Sequence, residues 1–153
     1  MEFHQQLAEQ KREGEREFAH KQQRDREREE AEVARANAEE EVRRKIEEEN
    51  NMRKAREVFA TLPALVRQAA KNGLLHAVIS SGFVDENKDA NEPSRPITVN
   101  KKTYYLKGWQ IPFYDMCTEH GVPLTVLTER VDTGINRVLR RSYYMLAIDL
   151  AKV

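Results

Sequence analysis

The chain has 153 residues, of which 34% are charged, and its 26 acidic residues balance its 26 basic ones. A zero net charge gives no general attraction to nucleic acid or to an acidic membrane surface, and no apolar run approaches the roughly 20 residues of a membrane span. Met1 is followed directly by Glu2 and a charged segment, so we expect no secretory leader. Cys117 is the only cysteine, which excludes an intrachain disulfide and favours a reducing, intracellular location.

The charged residues concentrate in the first part of the chain. Of the first 57 residues, 31 are Lys, Arg, Asp or Glu, and between Gln5 and Ala60 there is no proline and one glycine, Gly14. These residue types favour helix, and acidic residues repeatedly precede basic ones by four positions, as Glu40 precedes Arg44. We therefore predict that residues 1–60 form a long charged helical extension, with a rise of about 1.5 Å per residue.

A stripe of apolar residues at helical spacing begins at Ala31. Its first part, called the helix stripe below, consists of Ala31, Ala34, Ala38, Val42 and Ile46. After the polar pair Asn50–Asn51 the pattern resumes as Met52, Ala55, Phe59, Leu62, Val66 and Ala69. This spacing predicts that residues 31–70 pack against a partner helix, as in a coiled coil or bundle. The alternatives are a lone charged helix held by its ion pairs and a frayed tail, and we expect the first thirty residues to be solvated.

Residues 61–153 are predicted to form a small α/β domain that folds alone. Thr61 can cap a second helix with Pro63 in its first turn, and Gly73 is suited to end that helix. A buried strand is expected over Leu74–Ile79, followed by a polar loop at residues 80–102 in which Ile97–Val99 could form a short edge strand.

The remainder of this domain is predicted to be one helix and a β-hairpin. Leu106, Trp109, Phe113, Met116 and His120 recur at helical spacing before Gly121. Strands are expected over Val122–Arg130 and Arg137–Leu150, joined by a turn at Asp132–Gly134. An alternative interpretation makes Val131, Ile135, Val138 and Leu139 a helix. The predicted fold class is α+β, with two helices on one face of a three-stranded, largely antiparallel sheet.

This order of elements resembles that of small domains that recur in phage-encoded structural proteins. The likeness covers Leu62 to Leu150 and consists of a helix–Gly–strand unit followed by a helix–Gly–strand–strand unit. The resemblance implies a component of a large particle such as a phage virion.

Two groups of residues have spacings found in metal or catalytic sites. Asp85 to Glu92 places oxygen-bearing side chains at alternate positions, as in calcium loops, but Ala90 and Pro96 replace the glycine and glutamate that such loops need. Cys117 and His120 have a spacing suited to zinc binding or nucleophilic catalysis, yet too few further ligands are available. We expect a solvated loop, a half-buried cysteine, no metal or other cofactor, and no enzymatic activity.

Arg130, Arg137, Arg140 and Arg141 lie close together along the chain, before Tyr143 and Tyr144. Arginines beside aromatic residues can grip phosphates and stack on bases, and they can also pair with carboxylates on a neighbouring acidic helix. A solvated outer face is the simplest alternative. No basic domain surrounds these four arginines, which argues against nucleic acid.

The expected function is assembly through protein contacts. The predicted contact residues are Ala31, Ala34, Ala38, Val42, Ile46, Arg137, Arg140 and Arg141. The partner would be a second copy or another protein, in the cytoplasm or within a virion or other large assembly, without membrane attachment. The alternative is a nucleic-acid-binding module that uses the arginine-rich hairpin.

Overall fold

The structure of the protein is a computed structural model that describes residues 2–132 and 140–153, with only the backbone for residues 130–132 and 140–141. The chain divides into two compact units, Met1–Ile46 and Glu47–Val153. The helices are α1 (Glu2–Lys71), α2 (Gln110–Glu119) and a 3₁₀ turn (Leu150–Lys152), and the strands are β1 (His76–Val84), β2 (Ser94–Val99), β3 (Lys102–Lys107), β4 (Leu124–Asp132) and β5 (Arg140–Asp149). The predicted α+β class is confirmed.

The first unit consists of helix alone. Every residue from Glu2 to Ile46 is exposed, so this part of α1 buries no side chain. It is stabilised by the helix propensity of its residues and by ion pairs along its surface. Lys45 lies 3.8 Å from Glu41 and Lys11 lies 3.6 Å from Glu15, and each such exposed pair stabilises a helix by about 0.2–0.5 kcal/mol.

In the second unit α1 buries one face. Ala55, Leu62 and Ala69, seven residues apart, are at most 5% exposed, and Val58 and Phe59 pack beside them. This part of the predicted stripe therefore packs on the protein's own core and not on a partner helix.

The helix start predicted at Thr61 is wrong, because α1 continues through Pro63. A proline inside a helix costs roughly 3 kcal/mol, and here the buried residues on either side of Pro63 offset that loss. The Thr61 hydroxyl, expected to cap a new helix, instead donates to the Val58 carbonyl at 2.6 Å.

The main sheet has the order β1-β5-β4, with β5 antiparallel to both neighbours, which confirms the predicted three-stranded antiparallel sheet. Val131 lies in β4, opposite Arg141, so the alternative helix does not include it; its other three residues lie outside the described part of the chain. β5 ends at Asp149, and Leu150 begins the 3₁₀ turn instead of extending the strand as predicted.

The segment predicted as a polar loop contains a second sheet. β2 pairs with β3 from Ser94↔Lys107 to Val99↔Lys102, so the expected short edge strand is confirmed and extends further back. Asn100 and Lys101 join the strands with φ of 51° and 67°, the left-handed conformations of a two-residue hairpin turn. A strand forms in this polar segment because Ile97 is buried in the common core.

Glycines end both helices as the sequence predicts. Gly73 and Gly121 have φ of 70° and 68°, and the residue after each donates its N–H to a carbonyl five positions back, Leu74 to Ala69 at 2.9 Å and Val122 to Cys117 at 2.8 Å. These bonds satisfy carbonyls that the helix ends would otherwise leave unpaired.

β1 carries a bulge that reverses its alternation. Val78 pairs with Ala147, and Phe83 pairs with Met145. Between these two pairs β1 advances by five residues and β5 by two, so β1 contains three residues more than its partner strand. Ser81 has a φ of 61°, and a Cβ on Gly82 would lie 2.9 Å from the Ile79 carbonyl oxygen. Because three is odd, Phe83 points away from the core where regular alternation would turn it inward.

α2 packs on the core through Gln110, Phe113 and Cys117. Its predicted face is partly wrong, because Leu106 belongs to β3 and Trp109 and Met116 are only half-buried. Gln110 is 4% exposed, and its side chain accepts from the Lys107 N–H at 3.2 Å and donates to the Phe83 carbonyl at 2.5 Å. This buried amide ties α2 to both sheets.

Candidate interaction surfaces

The helix stripe lies on an exposed surface along its whole length. Val42 is 58% exposed and Ile46 is 54% exposed, and Ala31, Ala34 and Ala38 are also exposed. An apolar groove runs beside Val42 and Ile46, and its lining is Arg35, Ala38, Glu39, Val42, Arg43 and Ile46. Because the helix is continuous over these residues, their spacing of three and four positions places them on one face, as predicted. Whether a partner covers this face stays a prediction.

The main sheet has two apolar faces. The core face carries Ala77, Val84, Leu124, Val126, Leu146 and Ile148. Because successive side chains of a strand point to opposite sides, the registers place another set on the opposite side. This outer sheet face carries the apolar residues Val78, Phe83, Leu127, Tyr143, Met145 and Ala147 together with Thr125 and Glu129.

Both helices lie against the core face. The buried residues of α1, α2 and the β2–β3 sheet form one cluster with the core-face residues, and that cluster includes Leu62, Phe113, Leu106 and Leu146. Phe83 and Val78 lie outside that cluster and are 51% and 40% exposed. Of the other apolar residues on this face, Leu127, Tyr143 and Met145 are half-buried and Ala147 is completely buried.

Aromatic rings project from one end of the outer sheet face. The rings of Phe83 and Tyr143 meet edge-on, with centroids 5.9 Å apart. They border a groove of about 550 Å³, lined by Phe83, Val84, Asp85, Glu86, Asn87, Ser142, Tyr143 and Tyr144. This end of the sheet presents apolar rings next to polar side chains, the composition typical of a protein contact surface.

The sequence of β5 indicates that both faces of the sheet carry apolar residues. Every residue from Tyr143 to Ile148 is apolar, and a strand that is apolar at consecutive positions is typical of a sheet covered on both faces. Counting only Tyr144, Leu146 and Ile148 as inward-facing identifies the core face and misses the other one.

Two residues of the arginine-rich segment, Arg140 and Arg141, begin β5. The backbone of Arg140 pairs with Asp132 and that of Arg141 with Val131, so these two arginines lie at the end of the pairing between β4 and β5. Arg137 and the side chains of Arg140 and Arg141 lie outside the described residues. The alternative nucleic-acid-binding function depends on these side chains and stays a prediction.

The calcium-like loop uses its oxygens within the protein. Lys107 pairs with Asp85 and lies 3.6 Å from Glu92, and the Tyr144 hydroxyl donates to Glu86 at 3.0 Å. The contact with Asp85 raises the pKa of Lys107, which keeps this cation charged. The described residues contain no cluster of three or more potential metal ligands.

Cys117 and His120 do not form a reactive pair. Cys117 is completely buried, more than the sequence predicts, and burial raises the pKa of its thiol to about 12. A thiol in that state is a poor nucleophile and a poor metal ligand. The His120 ring contacts the Phe59 ring, with centroids 5.0 Å apart, and its Nδ1 lies 2.9 Å from the Met116 carbonyl oxygen.

Comparison with known proteins gives no relative from which a function could be carried over. No protein-family model matches the chain, and no curated protein and no solved structure is detectably similar to it. Of the helices in the described part of the chain, none combines the length and the apolar character needed to cross a membrane. The helix stripe and the exposed residues of the outer sheet face, Val78 and Phe83, are therefore the features on which a functional proposal can rest.

Proposed function

We propose that this protein is a non-enzymatic structural protein that oligomerises, or docks on a protein partner, through its helix stripe. One observation carries the proposal, the exposure of Val42 and Ile46 by more than half on a helix that buries no residue before position 51. Burying such a side chain fully stabilises a complex by about 1.5–3 kcal/mol. The three alanines of the stripe allow another element to approach closely.

The charged residues beside the stripe support a specific contact. Arg43 pairs with Glu40, and Lys45 with Glu41, so acidic and basic side chains pair beside Val42. Such flanking charges set the orientation and choice of partner in helical assemblies more than they add affinity. We further propose a large particle such as a phage virion as the setting, on the resemblance of the domain's element order.

The test is to place charge on the stripe. Replacing Val42 and Ile46 together by Glu should convert the associated protein to monomer, because two carboxylates would have to lose water in an apolar contact. Sedimentation velocity over a range of protein concentrations measures the change. The unaltered cooperative melting of residues 47–153 would show that the domain is intact.

A matched control keeps the added charge and moves it off the stripe. Ala36→Glu with Asn37→Glu changes two exposed residues of the same helix and should leave association unchanged. A chain that stays monomeric at the highest attainable concentration and retains no protein partner through the stripe would contradict the proposal.

A further inference from the structure

Two short blocks of opposite charge lie on either side of Val42 in α1. Residues 39–41 are three glutamates, and residues 43–45 are two arginines and a lysine. All six side chains are exposed, and Val42 between them is 58% exposed. The charge of the helix surface therefore changes sign at an exposed apolar residue of the helix stripe.

This pattern matches a second copy of itself laid in the opposite direction. When two antiparallel helices place Val42 beside Val42, residues equally far from position 42 on its two sides lie level, because every residue adds the same rise. The acidic block of each copy is then level with the basic block of the other. A parallel alignment in the same register would place each block beside its own copy, like charge beside like charge. Charge therefore favours the antiparallel alignment.

The two flanks of the helix stripe have the same complementarity. Because each residue turns the helix by about 100°, Glu39 and Arg43 lie on one flank of Val42. Glu41 and Lys45 lie on the other flank. A twofold axis between antiparallel helices sets each flank against the same flank of the second copy. Glu39 of one copy would therefore meet Arg43 of the other, and Glu41 would meet Lys45.

The apolar residues of the stripe fit the same alignment. Ile46 of one copy lies level with Ala38 of the other, so a large side chain meets a small one. Four residues in the lining of the apolar groove have the spacing that encloses the hole for an incoming side chain in packed helices, namely Arg35, Ala38, Glu39 and Val42. Ile46 of the second copy would fill this hole.

We infer that the helix stripe of one copy binds the helix stripe of a second copy, in an antiparallel pair centred on Val42. This inference rests on the proposed function and specifies the partner of the stripe as a second copy of this chain. Both copies use the same surface, so the contact closes as a dimer and does not continue from copy to copy.

The distance between two spin labels tests the alignment. Gln22→Cys provides an exposed thiol 20 residues before Val42, and pulsed electron spin resonance measures the separation of nitroxides attached to it. The antiparallel pair should hold the two labels about 60 Å apart at 1.5 Å per residue. A parallel pair would hold them within about 30 Å, because packed helices lie about 10 Å apart. The parent, whose Cys117 is completely buried, is the labelling control and should give no signal.

Reversal of charge tests the pairing of the two blocks. The acid variant carries Glu39→Lys and Glu41→Lys, and the base variant carries Arg43→Glu and Lys45→Glu. Each variant alone should associate at least about tenfold more weakly than the parent, because every attractive contact between the flanks becomes repulsive. Their equimolar mixture should associate at least as strongly as the parent, since residues 39–45 are then basic in one helix and acidic in the other.

A matched control reverses two charges away from the contact. Glu29→Lys with Glu40→Lys changes two exposed glutamates on the side of α1 opposite Val42, and this variant should associate like the parent. Sedimentation velocity over a range of concentrations measures association in all variants. Far-UV circular dichroism checks that α1 stays helical in each of them.

The outcomes separate this inference from the proposed function. Labels at the short separation, or parental association of the acid and base variants, would overturn the antiparallel pair. The proposed function would still stand if the variant with Val42→Glu and Ile46→Glu lost association. A monomeric parent would overturn the inference, and the proposed function would then require a different protein bound to the stripe. Parental association of the Val42→Glu and Ile46→Glu variant would contradict both.

Discussion

Cys117 illustrates how a side chain with reactive chemistry can serve as packing. Its sulfur is buried with Phe113 and Leu106 in the core, and burial disfavours the thiolate because the charged form loses its water. The sequence correctly places Cys117 on a helix. It could not indicate complete burial, because Cys117 and not Met116 lies on the inner face of α2.

The first prediction concerns the chemistry of this thiol. Because the folded state raises the pKa of Cys117 from 9.0 to about 12, the unfolded chain loses the proton first as pH rises. The thiol's contribution to stability is therefore fully present below pH 9 and is lost between about pH 9 and pH 12. Native protein at pH 8 should react with iodoacetamide far more slowly than denatured protein.

The control for this prediction is Cys117→Ala. The difference in unfolding free energy between parent and variant should shrink as pH rises above 9, because only the parent carries the buried thiol. A difference that is constant with pH, or native alkylation as fast as that of the denatured chain, would contradict the burial of Cys117.

At the scale of elements, the ends of the helices could be predicted from the sequence, because they depend on residues with a special backbone geometry. The inward and outward alternation of side chains along β1 could not. Gly73 and Gly121 mark helix ends because only the left-handed conformation satisfies the last carbonyls. The break expected at Thr61–Pro63 does not occur, since packing of Leu62 and Ala69 outweighs a local preference. No local pattern signals the three-residue bulge of β1, which depends on pairing with β5.

Gly82→Ala tests this bulge. The added methyl would lie 2.9 Å from the Ile79 carbonyl oxygen and 3.3 Å from the Leu146 Cβ, and such crowding typically costs about 1–3 kcal/mol. The melting temperature of the domain should fall accordingly. Gly14→Ala is the matched control, because nothing lies within 4 Å of that position, and it should not lower the melting temperature; equal effects of both substitutions would argue against the close packing.

At the scale of the whole molecule, the predicted domain of residues 61–153 can be set beside the compact unit that contains the sheet. The compact unit begins at Glu47, and its core includes Ala55, Val58 and Phe59, which precede the predicted boundary. The sequence suggests the later boundary, at residue 60, because Thr61 and Pro63 have the chemistry of a helix start. Only the position of α1 against the sheet shows which of its turns belong to the domain.

Two fragments test where the domain begins. The fragment 47–153 should melt cooperatively, because it retains every residue of the core cluster. The fragment 61–153 should be less stable by several kcal/mol, since it lacks Ala55, Val58 and Phe59, and large core side chains cost about 3–5 kcal/mol each when truncated. Thermal melting of the two fragments provides the comparison, and equal stability would support the predicted boundary at residue 60.

The position of β5 in the sheet determines when the sheet can form during synthesis. β1 and β4 do not pair with each other, and each pairs with β5, which follows both in the chain. A ribosome that has released residues 1–132 has therefore produced two strands without a common partner, whereas α1 can form as soon as it emerges, because its bonds are local. The last strand to be made joins the other two, so that the domain closes in one late step while the helix stripe is already displayed.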